Sequence, residues 1–195
     1  MKLYTAGTTP FGRKVSIVAL EHEIKLDPQI INVYEASFLD AINPLRQIPT
    51  LALDDGTVLY DSDVICLYLD SIAKKPTLFP GKDRWTWLTR CSLAKGLTEA
   101  SVAFQGQKTL PENERSKTLH DRHWTRINRA IDALEKEADA LATSTLRIDQ
   151  IAVSCGLGHI EFRHTKEWRG RCPKLAAWYE SFAKRPSLVS TAPKA

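Results

Sequence analysis

The chain has 195 residues, of which 43% are hydrophobic and 26% are charged, and its formal net charge is +4. This composition is typical of a globular protein and excludes a disordered or fibrous one. The basic residues are spread along the chain without the motif context of a nucleic-acid-binding module, so we expect no nucleic-acid partner.

The first part of the chain alternates between strand-like and helix-like segments. Lys2–Thr5 alternates as a short strand does. Thr9-Pro10 places a hydroxyl residue before a proline, a common start of a helix. The β-branched run Ile30–Tyr34 predicts a second strand.

Two further strands and a helix follow. Thr50–Leu53 and Thr57–Tyr60 are short apolar runs, and Asp54-Asp55-Gly56 between them predicts a hairpin turn. Ser62 begins another apolar helical pattern. The order is therefore β-α-β, loop, β-β-α, and it stops at a stretch with two prolines and a glycine between Lys74 and Gly81.

Everything after this stretch predicts helices. The predicted helices are Arg84 to about Gln107, Glu112 to about Ala142, Ile148 to about Phe162, and Pro173 to about Lys184, with Arg185-Pro186 ending the last one. The sequence thus indicates an α/β domain followed by an all-α domain.

The four cysteines are widely separated and form no CxxC pair. This spacing argues against a zinc site and against a disulfide framework. The sequence also lacks a secretory signal region and any apolar run long enough to cross a bilayer. We therefore expect a cytoplasmic protein with reduced thiols, no metal and no membrane partner.

The dipeptide Ile48-Pro49 stands at the entrance of the third strand. A proline cannot donate to a strand ladder, so it is confined there to an edge or a bend. A cis bond would turn the Ile48 backbone outward and free its N–H and C=O for an extended peptide. The alternative is an ordinary trans proline that ends a loop. The position of the dipeptide in the strand order favours the peptide-binding interpretation.

Five motifs stand in a characteristic order. They are Thr9–Val15 (TPFGRKV), Asn43–Leu51 (NPLRQIPTL), Asp61–Leu69 (DSDVICLYL), Ile148–Ala152 (IDQIA) and Arg185–Ser187 (RPS). On these motifs the chain resembles a cytosolic glutathione S-transferase, and the likeness covers nearly all of it. The resemblance implies a thioredoxin-like glutathione-binding domain at 1–75, a linker at 76–83 and an all-helical domain at 84–195.

The resemblance also implies a glutathione site on the first domain. Pro49 corresponds to a cis-proline, and the Ile48 backbone would pair with the cysteine of glutathione. The Asp61-Ser62 pair would hold the γ-glutamyl group: helix N–H groups and the Ser62 hydroxyl would bind its carboxylate, and Asp61 would face its ammonium. Ser62 as a mere N-cap is the alternative. Gln47 either reaches the substrate backbone or is a surface glutamine.

The same resemblance places the catalytic hydroxyl at Thr9, which would stabilise the glutathione thiolate. The methyl group of threonine stiffens χ1 and crowds the sulfur relative to a serine. Thr8 is the alternative donor, and a plain N-cap role for Thr9 is the alternative to catalysis. Tyr4 lies within the first strand, too early in the sequence to be preferred as the catalytic hydroxyl. A residue other than cysteine at position 9 argues against the members that form mixed disulfides.

One position departs from the family pattern in the helical half. The buried helix there usually begins with Ser or Thr three residues before an Asp, as a capping box. Asp149 matches the acid, but Leu146 stands where the cap is expected and Thr145 lies one residue earlier. Either the cap is shifted or Asp149 satisfies the turn alone. Asp149 is predicted to be structural, not catalytic.

The implied activity is conjugation of the glutathione thiolate to a small apolar electrophile in detoxification, with glutathione as co-substrate and no other cofactor or metal. Phe11 would wall the electrophile pocket with Trp85, Trp87 and Phe104, although aromatic residues at such positions are more often core. The family also implies a homodimer. A non-catalytic glutathione-binding protein and a glutathione-dependent isomerase or peroxidase are the competing interpretations.

Overall fold

The computed structural model describes residues 1–194, which divide into two compact units. The first unit is Met1–Pro80 together with the chain from Pro186 onward, and the second unit is Gly81–Arg185. The division after Pro80 falls inside the segment 76–83 that we interpreted as a linker. The residues from Pro186 onward belong to the first unit, whereas we expected everything from residue 84 onward to belong to the helical domain.

The secondary structure consists of a small sheet and a series of helices. The strands are β1 (Lys2–Thr5), β2 (Asp27–Ile30), β3 (Thr50–Ala52) and β4 (Val58–Leu59). The α-helices of residues 1–194 are α1 (Pro10–Glu21), α2 (Ser62–Ser71), α3 (Arg84–Thr109), α4 (Lys117–Lys136), α5 (Ala138–Leu141), α6 (Ile148–Arg163), α7 (Trp168–Arg171), α8 (Pro173–Phe182) and α9 (Pro186–Ser190).

The sheet lies in the first unit, with the strand order β2-β1-β3-β4. Strand β1 pairs in parallel with β2, and the β1–β3 and β3–β4 pairs are antiparallel. The parallel pair is joined through α1, and the antiparallel pair β3–β4 through the predicted hairpin, where Gly56 has a φ of 89°. The predicted order β-α-β, loop, β-β-α is confirmed, with a short 3-10 helix, Ser37–Ala41, in the loop.

The prediction of a strand at Ile30–Tyr34 is wrong. That run ends in a turn because the Asn32 side chain accepts a hydrogen bond from the backbone N–H of Tyr34 at 3.2 Å. The strand is Asp27–Ile30 instead. Pro28 is tolerated within it because β2 is an edge strand of the sheet.

The segment after Pro186 packs on α1, which explains its place in the first unit. Arg13 Nη2 donates to the carbonyl oxygen of Leu188 at 3.0 Å, near the start of α1. At the last residue of α1, Glu21 accepts from the Ser187 hydroxyl at 2.5 Å. Pro186 follows the end of α8, as predicted, but it also begins α9.

The second unit is helical, with α3 packed against α4 and α6. The predicted helix from Glu112 to Ala142 is interrupted: a 3-10 turn, Glu112–Glu114, precedes α4, and α5 follows it. The Ser116 hydroxyl caps α4 by accepting from the backbone N–H of Leu119 at 3.3 Å. Within residues 1–194, none of the helices has both the length and the apolar character needed to span a membrane.

Asp149 is fully buried at the start of α6 and has a structural role. Its carboxylate lies 2.5 Å from Arg90 Nη1 on α3 and 3.1 Å from Arg147 Nε. Gln150 Oε1 accepts from the backbone N–H of Arg147 at 2.8 Å and so closes the N-terminus of the helix. The N-terminus of α6 is therefore capped neither by Thr145, as a shifted cap would require, nor by Asp149 alone.

Candidate functional site

The residue before Pro49 presents unpaired backbone groups. The Ile48–Pro49 peptide bond is cis. Ile48 is half-buried, whereas Pro49 and Thr50 are buried. Neither the N–H nor the C=O of Ile48 has a hydrogen-bond partner among residues 1–194. A donor and an acceptor on one residue are what a peptide backbone needs in order to pair with it.

Asn43 organises the loop that carries Ile48, and the sequence analysis gave it no role. Asn43 is fully buried, and its Nδ2 donates to the carbonyl oxygen of Gln47 at 3.0 Å and to Thr50 Oγ1 at 2.8 Å. The Thr50 hydroxyl donates to the same Gln47 carbonyl at 2.8 Å. Because satisfied buried networks are rigid, Asn43 positions the backbone on both sides of Ile48. The available signal was an asparagine directly before Pro44, where a turn is favoured.

The Gln47 side chain is exposed, and it makes no hydrogen bond to any residue that the structure describes. Only its carbonyl group takes part in the Asn43 network. The contact between this side chain and a substrate stays a prediction.

Ser62 is the first residue of α2, and its hydroxyl is an orphan. The residue is 1% exposed, and within the described chain its Oγ has no hydrogen-bond partner. The N-cap of α2 is Asp61 instead, whose Oδ1 accepts from the backbone N–H of Asp63 at 3.0 Å. The Tyr60–Asp61 bond that leads into the helix is also cis. A buried hydroxyl without a partner costs about 1–3 kcal/mol, so this position points to a ligand that supplies one.

The two helices that begin near these residues are joined by an ion pair. Lys14 Nζ on α1 lies 2.5 Å from Asp63 Oδ1 in the first turn of α2. Lys14 is only 6% exposed, whereas the side chain of Asp63 is 46% exposed, so the ion pair is buried on the lysine side only. It links the helix that begins after Thr9 to the helix that begins at Ser62.

Thr9 occupies the N-cap position of α1, but its side chain does not cap the helix. Its backbone N–H donates to the carbonyl oxygen of Ala6 at 3.2 Å. The half-buried hydroxyl has no partner among the described residues, so it is available to a ligand. Thr8, the alternative donor, is half-buried as well.

Gly12 makes room for two threonines, a function that the sequence analysis missed. A Cβ atom at this position would lie 2.0 Å from Thr5 Oγ1 and 2.7 Å from Thr9 Cγ2. Any residue other than glycine would therefore force the side chain of Thr5 or Thr9, or the backbone that carries it, to shift. The Thr9 methyl group lies against this glycine. The signal in the sequence was a glycine inside an otherwise helical pattern.

A cleft of about 230 Å³ opens beside Thr9 within the first unit. Its lining includes Thr5, Thr9, Arg13, Ile30, Thr191 and Lys194, and no aspartate or glutamate from the described chain contributes to it. The cleft therefore combines hydroxyl groups with two cationic side chains.

Phe11 is half-buried on α1 and is not among the residues that line this cleft. In the second unit, Trp87 and Phe104 are buried, and Trp85 is 79% exposed. A wall of an electrophile pocket at Phe11 stays a prediction.

A buried polar cluster in the second unit also escaped the sequence analysis. Ser101 Oγ lies 2.8 Å from His159 Nδ1, and His164 Nε2 lies 3.0 Å from the carbonyl oxygen of Ser101. Burial, together with the nearby charges of His164 and Arg163, lowers the pKa of His159 to about 4. We interpret this cluster as structural. Nowhere in residues 1–194 do three or more His, Cys, Asp or Glu side chains form a group that could hold a metal ion.

Comparisons with known proteins agree with this arrangement. The family model described as glutathione S-transferase, N-terminal domain, matches residues 8–72. The uncharacterized GST-like protein YibF of Escherichia coli (strain K12) is 30% identical over an alignment of 201 positions that covers 99% of this chain and 98% of that protein.

Solved structures resemble both units. A glutathione transferase family member from Pseudomonas fluorescens Pf-5 with bound glutathione is 37% identical, with a TM-score of 0.92 and coverage of 100% of this chain and 99% of that chain. A structure from the same organism with bound S-(propanoic acid)-glutathione is 36% identical, with a TM-score of 0.88 and complete coverage of both chains at 100%. The predicted fold class, a thioredoxin-like α/β domain with an all-helical one, is confirmed, and the chain belongs to the glutathione S-transferase family.

Proposed function

We propose that this chain is a glutathione transferase that binds glutathione on its first unit and conjugates it to a small apolar electrophile. The observation that carries the proposal is the buried Ser62 hydroxyl, which has no partner in the described chain and stands at a helix N-terminus. The first N–H groups of a helix also lack partners within the helix and favour an anion.

The γ-glutamyl end of glutathione fits this position. Its α-carboxylate would accept hydrogen bonds from the Ser62 hydroxyl and from an N–H group at the start of α2 other than that of Asp63, which donates to Asp61. Its ammonium group would lie beside the Asp61 carboxylate, which the backbone N–H of Asp63 holds at 3.0 Å. The carboxylate and the ammonium group of the γ-glutamyl residue would thus each meet complementary groups.

The cysteinyl residue of glutathione fits the Ile48 backbone. The N–H and C=O of Ile48 would pair with the cysteinyl C=O and N–H, as in the addition of a strand to an edge. Only backbone atoms of Ile48 take part, so the identity of its side chain matters little. The Asn43 network would hold this backbone ready for pairing.

The thiol would then lie near Thr9. A free thiol has a pKa of about 8.5, and a hydrogen bond from the Thr9 hydroxyl to the sulfur favours the thiolate. The thiolate attacks the electrophilic carbon, a carbon–sulfur bond forms, and a leaving group departs with its electron pair. Catalysis then consists of positioning and thiolate stabilisation, without a metal.

The position of the threonine methyl group removes one objection to turnover. From the sequence we expected this methyl group to crowd the sulfur, but Thr9 Cγ2 lies beside Gly12. The relatives from Pseudomonas fluorescens, with bound glutathione and bound S-(propanoic acid)-glutathione, support a site of this kind at 37% and 36% identity. The competing functions are those of a non-catalytic glutathione-binding protein and of a glutathione-dependent isomerase or peroxidase.

Retention on immobilised glutathione, combined with conjugation of chlorodinitrobenzene, tests the proposal. Elution by free glutathione together with a conjugation rate above the uncatalysed rate supports a transferase. Retention without conjugation indicates a binding protein. Turnover of a peroxide instead indicates a peroxidase, and turnover of an isomerisable substrate indicates an isomerase. A lack of retention, with no binding in solution, contradicts the glutathione site itself.

The family resemblance further leads us to propose a cytoplasmic homodimer that acts in detoxification. Light scattering at micromolar concentration tests the assembly, because a dimer has twice the chain mass of 21.9 kDa. A mass of one chain contradicts it.

A further inference from the structure

We propose that the second substrate of this chain carries a carboxylate or a similar anionic group, which Arg13 binds beside Thr9. The inference rests on the proposed function and narrows the electrophile: an apolar reactive skeleton with a negative charge attached.

The geometry begins with the spacing on α1. Residues four apart on a helix lie on the same face, one turn after another. Arg13 follows Thr9 by four residues, and both line the cleft of about 230 Å³ in the first unit. A molecule in this cleft would therefore reach the proposed sulfur position at one end and the guanidinium group at the other.

The positive charge of Arg13 is not neutralised by the protein. Its guanidinium donates to neutral acceptors only, the carbonyl oxygen of Leu188 at 3.0 Å and Thr191 Oγ1 at 3.5 Å. No carboxylate within residues 1–194 pairs with it. A guanidinium has five N–H donors in a fixed fork that suits a carboxylate, so donors remain. Because Arg13 is half-buried, an unpaired charge there is costly, and an anionic ligand would offset that cost.

The rest of the lining agrees with an anionic ligand of small size. Lys194 adds a second cation, and the described lining includes no acidic residue to repel an anion. Thr5 is 5% exposed and lines the cleft, and its hydroxyl has no hydrogen-bond partner in the described part of the chain. Ile30 contributes an apolar surface for the carbon skeleton.

The carboxylate could come from two molecules. One is the second substrate, as we propose, and the other is the glycyl end of glutathione. If the second substrate supplies the carboxylate, the protein should prefer electrophiles that carry one. If glutathione supplies it, replacing Arg13 should change the KM for glutathione by the same factor for every electrophile.

Chloronitrobenzoate and chloronitrobenzamide distinguish these outcomes, because the two compounds are similar in shape and differ in charge. Each kcat/KM is divided by the uncatalysed rate constant to remove the difference in intrinsic reactivity. We expect the ratio of the two normalised kcat/KM values, benzoate over benzamide, to be about tenfold or more in the wild type, the range of a hydrogen bond to a charged group. Arg13→Gln should bring the ratio close to one, Arg13→Lys should retain part of it, and Lys194→Gln should lower it by about twofold to threefold. Lys25→Gln, an exposed lysine outside the cleft, serves as the matched control and should leave the ratio unchanged.

A ratio near one in the wild type overturns the inference and leaves the transferase proposal intact. An Arg13→Gln variant with an unchanged ratio but a raised KM for glutathione assigns Arg13 to the glycyl carboxylate and also overturns it. If neither compound is conjugated, turnover of chlorodinitrobenzene decides the transferase proposal, and the inference is tested by binding. In that case S-carboxyethyl-glutathione should bind about tenfold more tightly than S-propyl-glutathione to the wild type and equally to Arg13→Gln. Equal binding by the wild type overturns it.

Discussion

Lys14 Nζ lies 2.5 Å from Asp63 Oδ1 and joins α1 to α2. The pair has two consequences for a carboxylate bound at Ser62. It links the two helices that begin at Thr9 and at Ser62, and it compensates a negative charge in the first turn of α2. Without the charge of Lys14, Asp63 would repel more strongly the carboxylate that we place at this helix terminus.

Lys14→Met is therefore expected to weaken glutathione binding by about fivefold, equivalent to about 1 kcal/mol of repulsion from Asp63. Calorimetric titration with glutathione measures the effect. The double variant Lys14→Met with Asp63→Asn should recover much of the affinity, because the repelling charge is gone. Lys75→Met breaks another ion pair of the first unit, to Glu23 at 2.6 Å, and should leave binding unchanged. Unaltered affinity in Lys14→Met would show that Asp63 has no influence on the ligand.

Ser62→Ala should weaken glutathione binding by about tenfold to a hundredfold, the range of a hydrogen bond to a charged group. The melting temperature should stay the same or rise, because the Ser62 hydroxyl makes no hydrogen bond in the described structure. Ser71→Ala, which removes a hydroxyl at the other end of α2, is the control for affinity. If Ser62→Ala binds glutathione as the wild type does, the γ-glutamyl group lies elsewhere.

Thr9→Ala should raise the pKa of the bound glutathione thiol by about one to two units, because the thiolate loses a hydrogen bond. Ultraviolet absorbance of the thiolate as a function of pH measures this value. Thr9→Ser keeps the hydroxyl and should resemble the wild type. Full activity in Thr9→Ala together with loss of activity in Thr8→Ala would assign the contact to Thr8.

Gly12→Ala should destabilise the protein by about 1–3 kcal/mol and reduce conjugation, since the new methyl meets Thr5 Oγ1 at 2.0 Å and Thr9 Cγ2 at 2.7 Å. Urea denaturation and the conjugation rate check the two effects. Adding Thr5→Ala removes the closest contact and should restore part of the stability. Gly106→Ala on α3 meets no atom within 4 Å in the described structure and should be neutral or stabilising. Equal behaviour of the two alanine variants would argue against tight packing at Gly12.

The stability of the chain should fall on acidification because of His159. Its pKa is lowered to about 4 in the folded protein, from an ordinary value of 6.5 that applies in the unfolded chain. Between these values the unfolded state binds more protons, so stability is greatest above about pH 6.5 and falls as the pH approaches about 4. The loss from this one group amounts to at most about 3 kcal/mol. Urea denaturation at several pH values measures it.

His159→Gln should flatten this pH dependence, because the buried titrating group is removed. The same slope in His159→Gln as in the wild type would place the acid-sensitive group elsewhere.

Local signals in the sequence were sufficient to predict most of the helices and strands. Thr9-Pro10 predicted the start of α1, and Asp54-Asp55-Gly56 predicted the hairpin, because proline and glycine restrict or widen the backbone at their own positions. The strand at Ile30–Tyr34 was placed too late, since its end depends on the turn that Asn32 forms.

Contacts between residues far apart in the sequence could not be predicted from local patterns. The hydrogen bond from Arg13 to Leu188 brings the end of the chain to α1 across 175 positions. The buried bonds of Asn43 depend on how the loop closes, and so does the space at Gly12. For the same reason the sequence indicated Ser62 as a binding residue or a cap but could not show that its hydroxyl lacks a partner.

A crystal structure with glutathione bound would test the proposed site at all three of its contacts. We expect that the cysteinyl backbone pairs with the N–H and C=O of Ile48, that the γ-glutamyl carboxylate accepts from the Ser62 hydroxyl, and that the sulfur lies within hydrogen-bond distance of Thr9 Oγ1. Glutathione bound away from both Ile48 and Ser62 would contradict it.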